Sequence, residues 1–193
     1  MQVLDRHIRS ALKESVIPRF THQGDLVVDE MGVCRGDARV DVAVVNTALH
    51  GFEIKSERDT LARLPRQVEL YGRVLDYASL VAAQGHANRA KAIIPPWWAV
   101  WTAEWSREGV RLTLEQEGAR NPNVDSFSLA MLLWKSELAH LFETVFGEVP
   151  ARRATRPLLA REIAKYLQPE ELGSAVRAQL KVRQGWRGHV VPE

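Results

Sequence analysis

One cysteine, Cys34, is all that the 193 residues contain. An internal disulfide and a cysteine-built zinc site are therefore excluded. Histidine adds little: His7, His22, His50, His86, His140 and His189 are scattered without ligand spacing, so zinc chemistry is not expected. No apolar run approaches the roughly 20 residues of a membrane span, and the N-terminus has no signal-peptide pattern. The expectation is a cytoplasmic protein with no membrane partner. Internal repeats and low-complexity segments are absent. Charge of one sign is scarce as well, the net balance being only +2, too little on its own to require a nucleic-acid partner. Its distribution says more. Residues 148–193 hold nine Lys/Arg against five acids, a local balance of +4, which leaves −2 for the rest. A basic C-terminal segment suits a phosphate backbone; a solvated helical face is the plainer account.

What is present is an ordinary globular composition, 46% hydrophobic and 26% charged, enough for one compact domain with an appendage. Leu4, Ile8, Leu12 and Val16 recur at helical spacing, predicting a helix over 2–17 that Pro18 ends. Strands are expected over 26–33, 39–45 and 52–56, with hairpin turn chemistry between Asn46 and Gly51. A helix over 59–76 follows, starting or kinking at Pro65. Next come a strand over 77–83, a short helix over 86–94, and strands over 98–103 and 109–114. Alternating strands and helices imply a crossover, and so an α/β fold with a central mixed β-sheet flanked by helices. Residues 1–122 form this core. Residues 123–193 read as a helical C-terminal region packing on it, with helices over 125–146, 157–167 and 170–183.

The chemistry concentrates in two neighbouring strands. Asp41 lies within the apolar run Arg39-Val40-Asp41-Val42-Ala43-Val44-Val45, and Glu53 and Lys55 alternate in Phe52-Glu53-Ile54-Lys55-Ser56. Alternation sends Glu53 and Lys55 to one face. Charges inside apolar strands are costly to bury without a partner or a metal. Two carboxylates and an ammonium meeting at a strand end suit a hard divalent cation and a phosphate. The plainer account is a solvated cross-strand salt bridge.

These residues resemble the PD-(D/E)XK nuclease superfamily, the restriction-endonuclease-like fold, and in particular a stand-alone bacterial branch. The likeness rests on the two stretches just quoted, extended through Glu57-Arg58-Asp59, and on Leu64-Pro65-Arg66-Gln67-Val68-Glu69-Leu70-Tyr71. It covers about residues 26–80 strongly and the rest in outline. It implies a four-stranded mixed sheet and a metal-dependent phosphodiesterase. Asp41 would match the first acid, Glu53 the second and Lys55 the lysine; Val40 stands where the family usually has proline. Gln67 and Tyr71, one helical turn apart, resemble the Gln-x-x-x-Tyr that follows the lysine in RecB-like nucleases, although Tyr71 also reads as a core aromatic and Gln67 as a surface residue.

What the resemblance implies is a Mg²⁺- or Mn²⁺-dependent nuclease, with DNA the expected polymer. A homodimer is compatible with it. Asp41 and Glu53 would supply metal oxygens, with the Ile54 carbonyl and Glu30 as further ligands; Glu14 is a weaker candidate. Lys55 would orient the attacking water or offset charge on the phosphate, since neighbouring carboxylates keep it protonated. Arg39, Arg58, Arg63 and Arg66 surround the motif as phosphate contacts, and Arg177 and Lys181 would extend these along the C-terminal helices. The alternative is a catalytically silent nucleic-acid-binding or regulatory module with the same fold. The tryptophans clustered at 97, 98, 101 and 105 fit strand packing better than base stacking.

Overall fold

The computed structural model describes residues 2–184. One six-stranded sheet runs through it in chain order: β1 (Leu26–Val33), β2 (Ala38–Val45), β3 (Leu49–Lys55), β4 (Tyr77–Ala83), β5 (Ala99–Ser106) and β6 (Gly109–Gln116). β1, β2 and β3 form an antiparallel meander, β3–β4 and β4–β5 are parallel, and β6 returns antiparallel. Each parallel step needs a crossover; α2 (Leu64–Tyr71) and α3 (Gln84–Lys91) supply them. The architecture is α/β, with a mixed sheet of six strands rather than the four implied by the family resemblance.

Helices cover both faces. On one, α1 (Asp5–Ser15) packs Ile8 and Leu12 with Val42, Val44, Phe52 and Ile54. The other carries α2, α3 and four C-terminal helices: α4 (Ser126–Ala130), α5 (Lys135–Phe146), α6 (Arg156–Tyr166) and α7 (Pro169–Val182). Leu129, Leu138, Ile163 and Val176 from these helices join Val40, Val45, Leu80 and Val100 of the sheet in one apolar core. No helix among the described residues is long and apolar enough to cross a membrane.

Several expected boundaries move, each for a local reason. The helix expected over 125–146 is two helices broken at 131–134. The carbonyls freed by the break are taken by Arg156, whose Nε donates to Leu133 O at 2.8 Å and whose Nη2 donates to Met131 O. The Trp134 N–H is taken by Glu137 Oε2 at 2.6 Å, so the break leaves these groups satisfied. The helix expected over 59–76 shrinks to α2. Pro65 sits in its first turn, and Asp59 Oδ2 accepts from the Ser56 N–H and hydroxyl at 2.7 and 2.6 Å, fixing a turn ahead of the helix. The N-terminal helix ends at Ser15, and a 3-10 turn, Ile17–Arg19, follows around Pro18. The helix expected over 86–94 lies at Gln84–Lys91. β3 begins at Leu49, so turn chemistry is confined to fewer residues than the interval Asn46 to Gly51. Gly51 is required within β3: a Cβ there would lie 2.5 Å from Leu75 Cδ1 and 3.0 Å from Val40 Cγ1, so its absence lets the segment after α2 close on the strand.

Candidate functional site

The site is created where the sheet loses its regular alternation. On β1, Leu26 and Val28 enter the core shared with the C-terminal helices; past Glu30 it is Met31 and Val33 that do so. β2 shifts at the same level, Val40 lying in that core while Val42 faces α1. Glu30 has a φ of 55°, a backbone state that non-glycine residues avoid and that tends to be kept at functional sites. Asp29↔Val42 and Met31↔Val40 remain paired across this level. On the other side, the β2–β3 ladder runs only as far as Val42↔Phe52. Beyond it, Asp41 Oδ2 accepts the Ile54 N–H at 2.7 Å, so a carboxylate replaces the missing backbone acceptor and the strands part around it.

The parting opens a cleft of ≈ 700 Å³, and Asp41, Glu53, Ile54 and Lys55 all line it. Glu53 and Lys55 are only 2% and 3% exposed, which removes the reading of a solvated cross-strand bridge: they pair along one strand, Lys55 Nζ to Glu53 Oε1 at 2.5 Å. α2 completes the arrangement. Gln67 Nε2 donates to Glu53 Oε1 at 2.6 Å, while Gln67 Oε1 accepts from Lys55 Nζ at 3.0 Å. The Tyr71 hydroxyl lies 2.7 Å from Glu53 Oε2 and 2.5 Å from Arg39 O. Burial, then the Glu53 charge, raise the Tyr71 pKa well above its ordinary value, so it remains a neutral donor. Glu53 thus uses about three of its roughly four lone-pair sites on protein donors.

Asp41 is the uneasy member. Burial pushes its pKa up to about 7, and the Glu53 charge adds to the shift, against the pull of the Ile54 N–H and of Arg9. Arg9, from α1, donates to Asp41 O at 2.7 Å and lies 3.6 Å from Asp41 Oδ1 and 3.1 Å from Glu30 Oε1. Burial works against the Arg9 charge, but Asp5, Asp41 and Glu30 outweigh it and raise its pKa. Among the described residues no group of three or more His, Cys, Asp or Glu side chains is placed to hold a metal ion. Two carboxylates with the Ile54 carbonyl nevertheless suit Mg²⁺, which commonly takes one or two carboxylates and completes its shell with water and phosphate. They do not suit a metal that demands three or four protein side chains.

A model of the family described as bacteriophage P4 protein cII matches residues 3–187. The chain belongs to the phage P4 cII family. Protein cII of Enterobacteria phage P4 is 26% identical over 137 residues, 71% of this chain and 52% of that protein; the chain spans about half the length of this curated relative. A solved structure, a protein of unknown function from Silicibacter pomeroyi, shares 16% identity with a TM-score of 0.43, covering 79% of this chain and 95% of its own, a likeness too loose to support an argument. None of these names states an activity. The nuclease resemblance therefore rests on the residues themselves.

In this cII-family chain the cleft brings together Asp41, Glu53, Ile54, Lys55, Gln67, Glu30, Arg39, Arg63 and Arg66, with Tyr71 behind Glu53. Glu30 is 46% exposed at its side chain and is held by Arg9 and, at 3.6 Å, Arg39. Arg58 does not line the cleft; its Nε donates to Gln2 Oε1 at 3.1 Å. Arg177 and Lys181 also lie elsewhere. Arg177 pairs with Asp76 Oδ2 at 3.2 Å and Lys181 with Asp25 Oδ1 at 2.9 Å, so these two cations of the basic segment tie α7 to the core. Arg187 of that segment lies outside the described residues. Glu14 accepts from Ser10 on the exposed side of α1 at 2.7 Å. Trp98 and Trp101 are core residues, 0% and 6% exposed. Sequence reasoning missed Arg9, and with it Asp5, Asp37 and Asp59 on the cleft wall. The available signal was the Asp5/Arg9 pair, one turn apart on the polar face of an amphipathic helix.

Proposed function

We propose that this chain is a nucleic-acid-binding or regulatory module of a phage or phage-derived element, whose cleft receives a phosphate of the backbone together with a divalent cation. The supporting observation is that Asp41, Glu53 and Lys55 reach one cleft whose rim carries Arg39, Arg63 and Arg66. Two ionised carboxylates repel a phosphate unless a cation lies between them; Mg²⁺ or Mn²⁺ meets that need with oxygen ligands. The rim arginines are exposed; Arg39 and Arg66 make only surface pairs, with Glu30 at 3.6 Å and Glu69 at 2.5 Å, which are weak enough to be exchanged for neighbouring phosphates, the main source of sequence-independent affinity. Two features support a module that stops short of turnover. Glu53 already spends its oxygens on Lys55, Gln67 and Tyr71, and no third side-chain carboxylate converges among the described residues.

Hydrolysis is the second reading, and the same convergence favours it. When bound, the cation would acidify a water and offset charge on the phosphate. Lys55, held by Glu53 and Gln67, would stand beside the phosphate as a fixed positive charge. The test is to incubate the wild type, Asp41→Ala and Lys55→Ala with linear, circular and single-stranded DNA, in Mn²⁺ and in chelator. The module binds DNA more tightly in Mn²⁺ than in chelator, loses that gain in Asp41→Ala, and leaves every substrate intact. Cleavage abolished by both substitutions establishes the nuclease instead. DNA binding that is indifferent to Mn²⁺ and to Asp41→Ala removes the cleft from both readings.

A further inference from the structure

Beyond the cleft, on the far side of a strained ridge, lies a second groove of ≈ 350 Å³. The two hollows share Glu30 and Gly36 as a common wall. That wall is where the backbone is least ordinary: Glu30, Cys34 and Arg35, with φ of 55°, 49° and 66°, are the non-glycine residues of positive φ among the described residues, and Gly36 follows at 92°. Strain of this kind persists where the surroundings hold it, often at binding sites.

The groove is basic in a specific way. Its acids are already matched: Asp29 with Lys13 at 2.5 Å, Glu30 with Arg9 at 3.1 Å. Its arginines are not all matched in return. Arg35 lines the groove and is exposed, and among the described residues no carboxylate lies within ion-pair distance of it. Arg156 gives Nε and Nη2, two of its three guanidinium nitrogens, to the carbonyls of Leu133 and Met131, neither of which carries a countercharge. Burial first, and then the nearby charges of Arg183 and Arg35, push the Arg156 pKa down against the pull of Glu137, so an anion beside it is favoured. Beside them stands Trp134, 48% exposed, with Arg183 4.6 Å from its ring centroid. An indole braced by a guanidinium and still open to solvent is a platform for another flat ring.

We infer that this groove is a second nucleic-acid contact, in which an unpaired base stacks on Trp134 and its phosphate lies on Arg35 and Arg156, continuing the strand held in the cleft. The inference rests on the nucleic-acid reading above and specifies its ligand. A single strand is required, because a base inside a duplex has no free face to offer an indole.

The experiment measures fluorescence anisotropy of labelled oligothymidylates, one of about 5 nucleotides to fill the cleft alone and one of about 20 to span both hollows. The full chain is used, in Mn²⁺ and in chelator. Trp134→Ala weakens the long oligomer about tenfold, within the range for one lost base stack, and leaves the short one unchanged. Trp134→Phe, which keeps a ring, retains most of the affinity. Arg35→Gly, which suits the positive φ, weakens the long oligomer several-fold and reduces its salt slope by about 1. If the wild type binds the long oligomer and all three variants match it, the inference falls and the nucleic-acid reading stands. If a duplex of equal length binds better than the single strand and is equally insensitive to the variants, it falls likewise. If the wild type binds neither oligomer under either condition, both fall.

Discussion

Two ion pairs with both members buried lie among the described residues, and their surroundings differ. Glu137 and Arg183 join α5 to the end of α7. Arg183 donates to both carboxylate oxygens, Nε at 2.7 Å and Nη2 at 2.5 Å, while Nη2 also reaches Leu132 O at 2.9 Å. This is a two-pronged, geometrically complete fork. Glu53 and Lys55 are more deeply buried, yet they open onto a cleft, and a second carboxylate stands across from them. Burial of a charge pair is thus no signature of chemistry. What sets the Glu53–Lys55 pair apart is a half-buried acid beside it, Asp41, whose pKa is raised first by burial and then by the Glu53 charge.

The largest effect should distinguish the two pairs directly. Arg183→Leu leaves Glu137 buried without its partner and should cost about 3–5 kcal/mol, read as a drop in urea midpoint and Tm. Lys55→Met should cost a similar amount in chelator, but millimolar Mn²⁺ should restore part of it, because a cation at Glu53 replaces the lost ammonium. Equal Mn²⁺ responses in the two variants, or none in either, would erase the contrast.

Asp41 gives the next effect, with a sign that depends on pH. Its pKa is about 7 when folded against about 3.9 when unfolded. Between those values the folded state holds more protons, so this group's contribution is most favourable below pH 4 and is lost as pH rises through 7. Asp41→Asn keeps an acceptor for the Ile54 N–H and removes the penalty. Metal-free Asp41→Asn should therefore be more stable than wild type at pH 8, by at most about 4 kcal/mol, with the difference shrinking toward pH 4. A variant less stable than wild type at pH 8 would show that the acid is well matched after all.

The smallest effect is expected at Tyr71→Phe. It removes one donor from buried Glu53 and should cost about 1–2 kcal/mol in denaturant unfolding, with β-sheet circular dichroism unchanged. No loss would mean that the hydroxyl serves only Arg39 O.

How far this was legible from the chain follows from the length scale of each cause. The runs Val42–Val45 and Leu80–Ala83 are apolar in sequence and buried in the sheet, so strand identity was local information. Glu53 and Lys55 on one face followed from alternation, and the Gln67/Tyr71 turn from helical period. The break at 131–134 was not legible, because no Gly or Pro marks it and Arg156, which satisfies its carbonyls, lies 25 residues from Met131. The same holds for Arg177 and Lys181: in sequence they are part of a basic segment, and only their meeting with Asp76 and Asp25, 101 and 156 residues away, reveals them as fasteners. Arg9 lay hidden for the converse reason, since its target is a backbone carbonyl 32 residues on.

The hydrogen bond from Ile54 to the side chain of residue 41 makes that aspartate a splint between two strands as well as a prospective ligand. Any relative whose cleft bound nothing would still be under pressure to keep an acceptor there, or β2 and β3 would lose their link at that level. Retention of the acid across a lineage would accordingly testify to carpentry before it testified to catalysis.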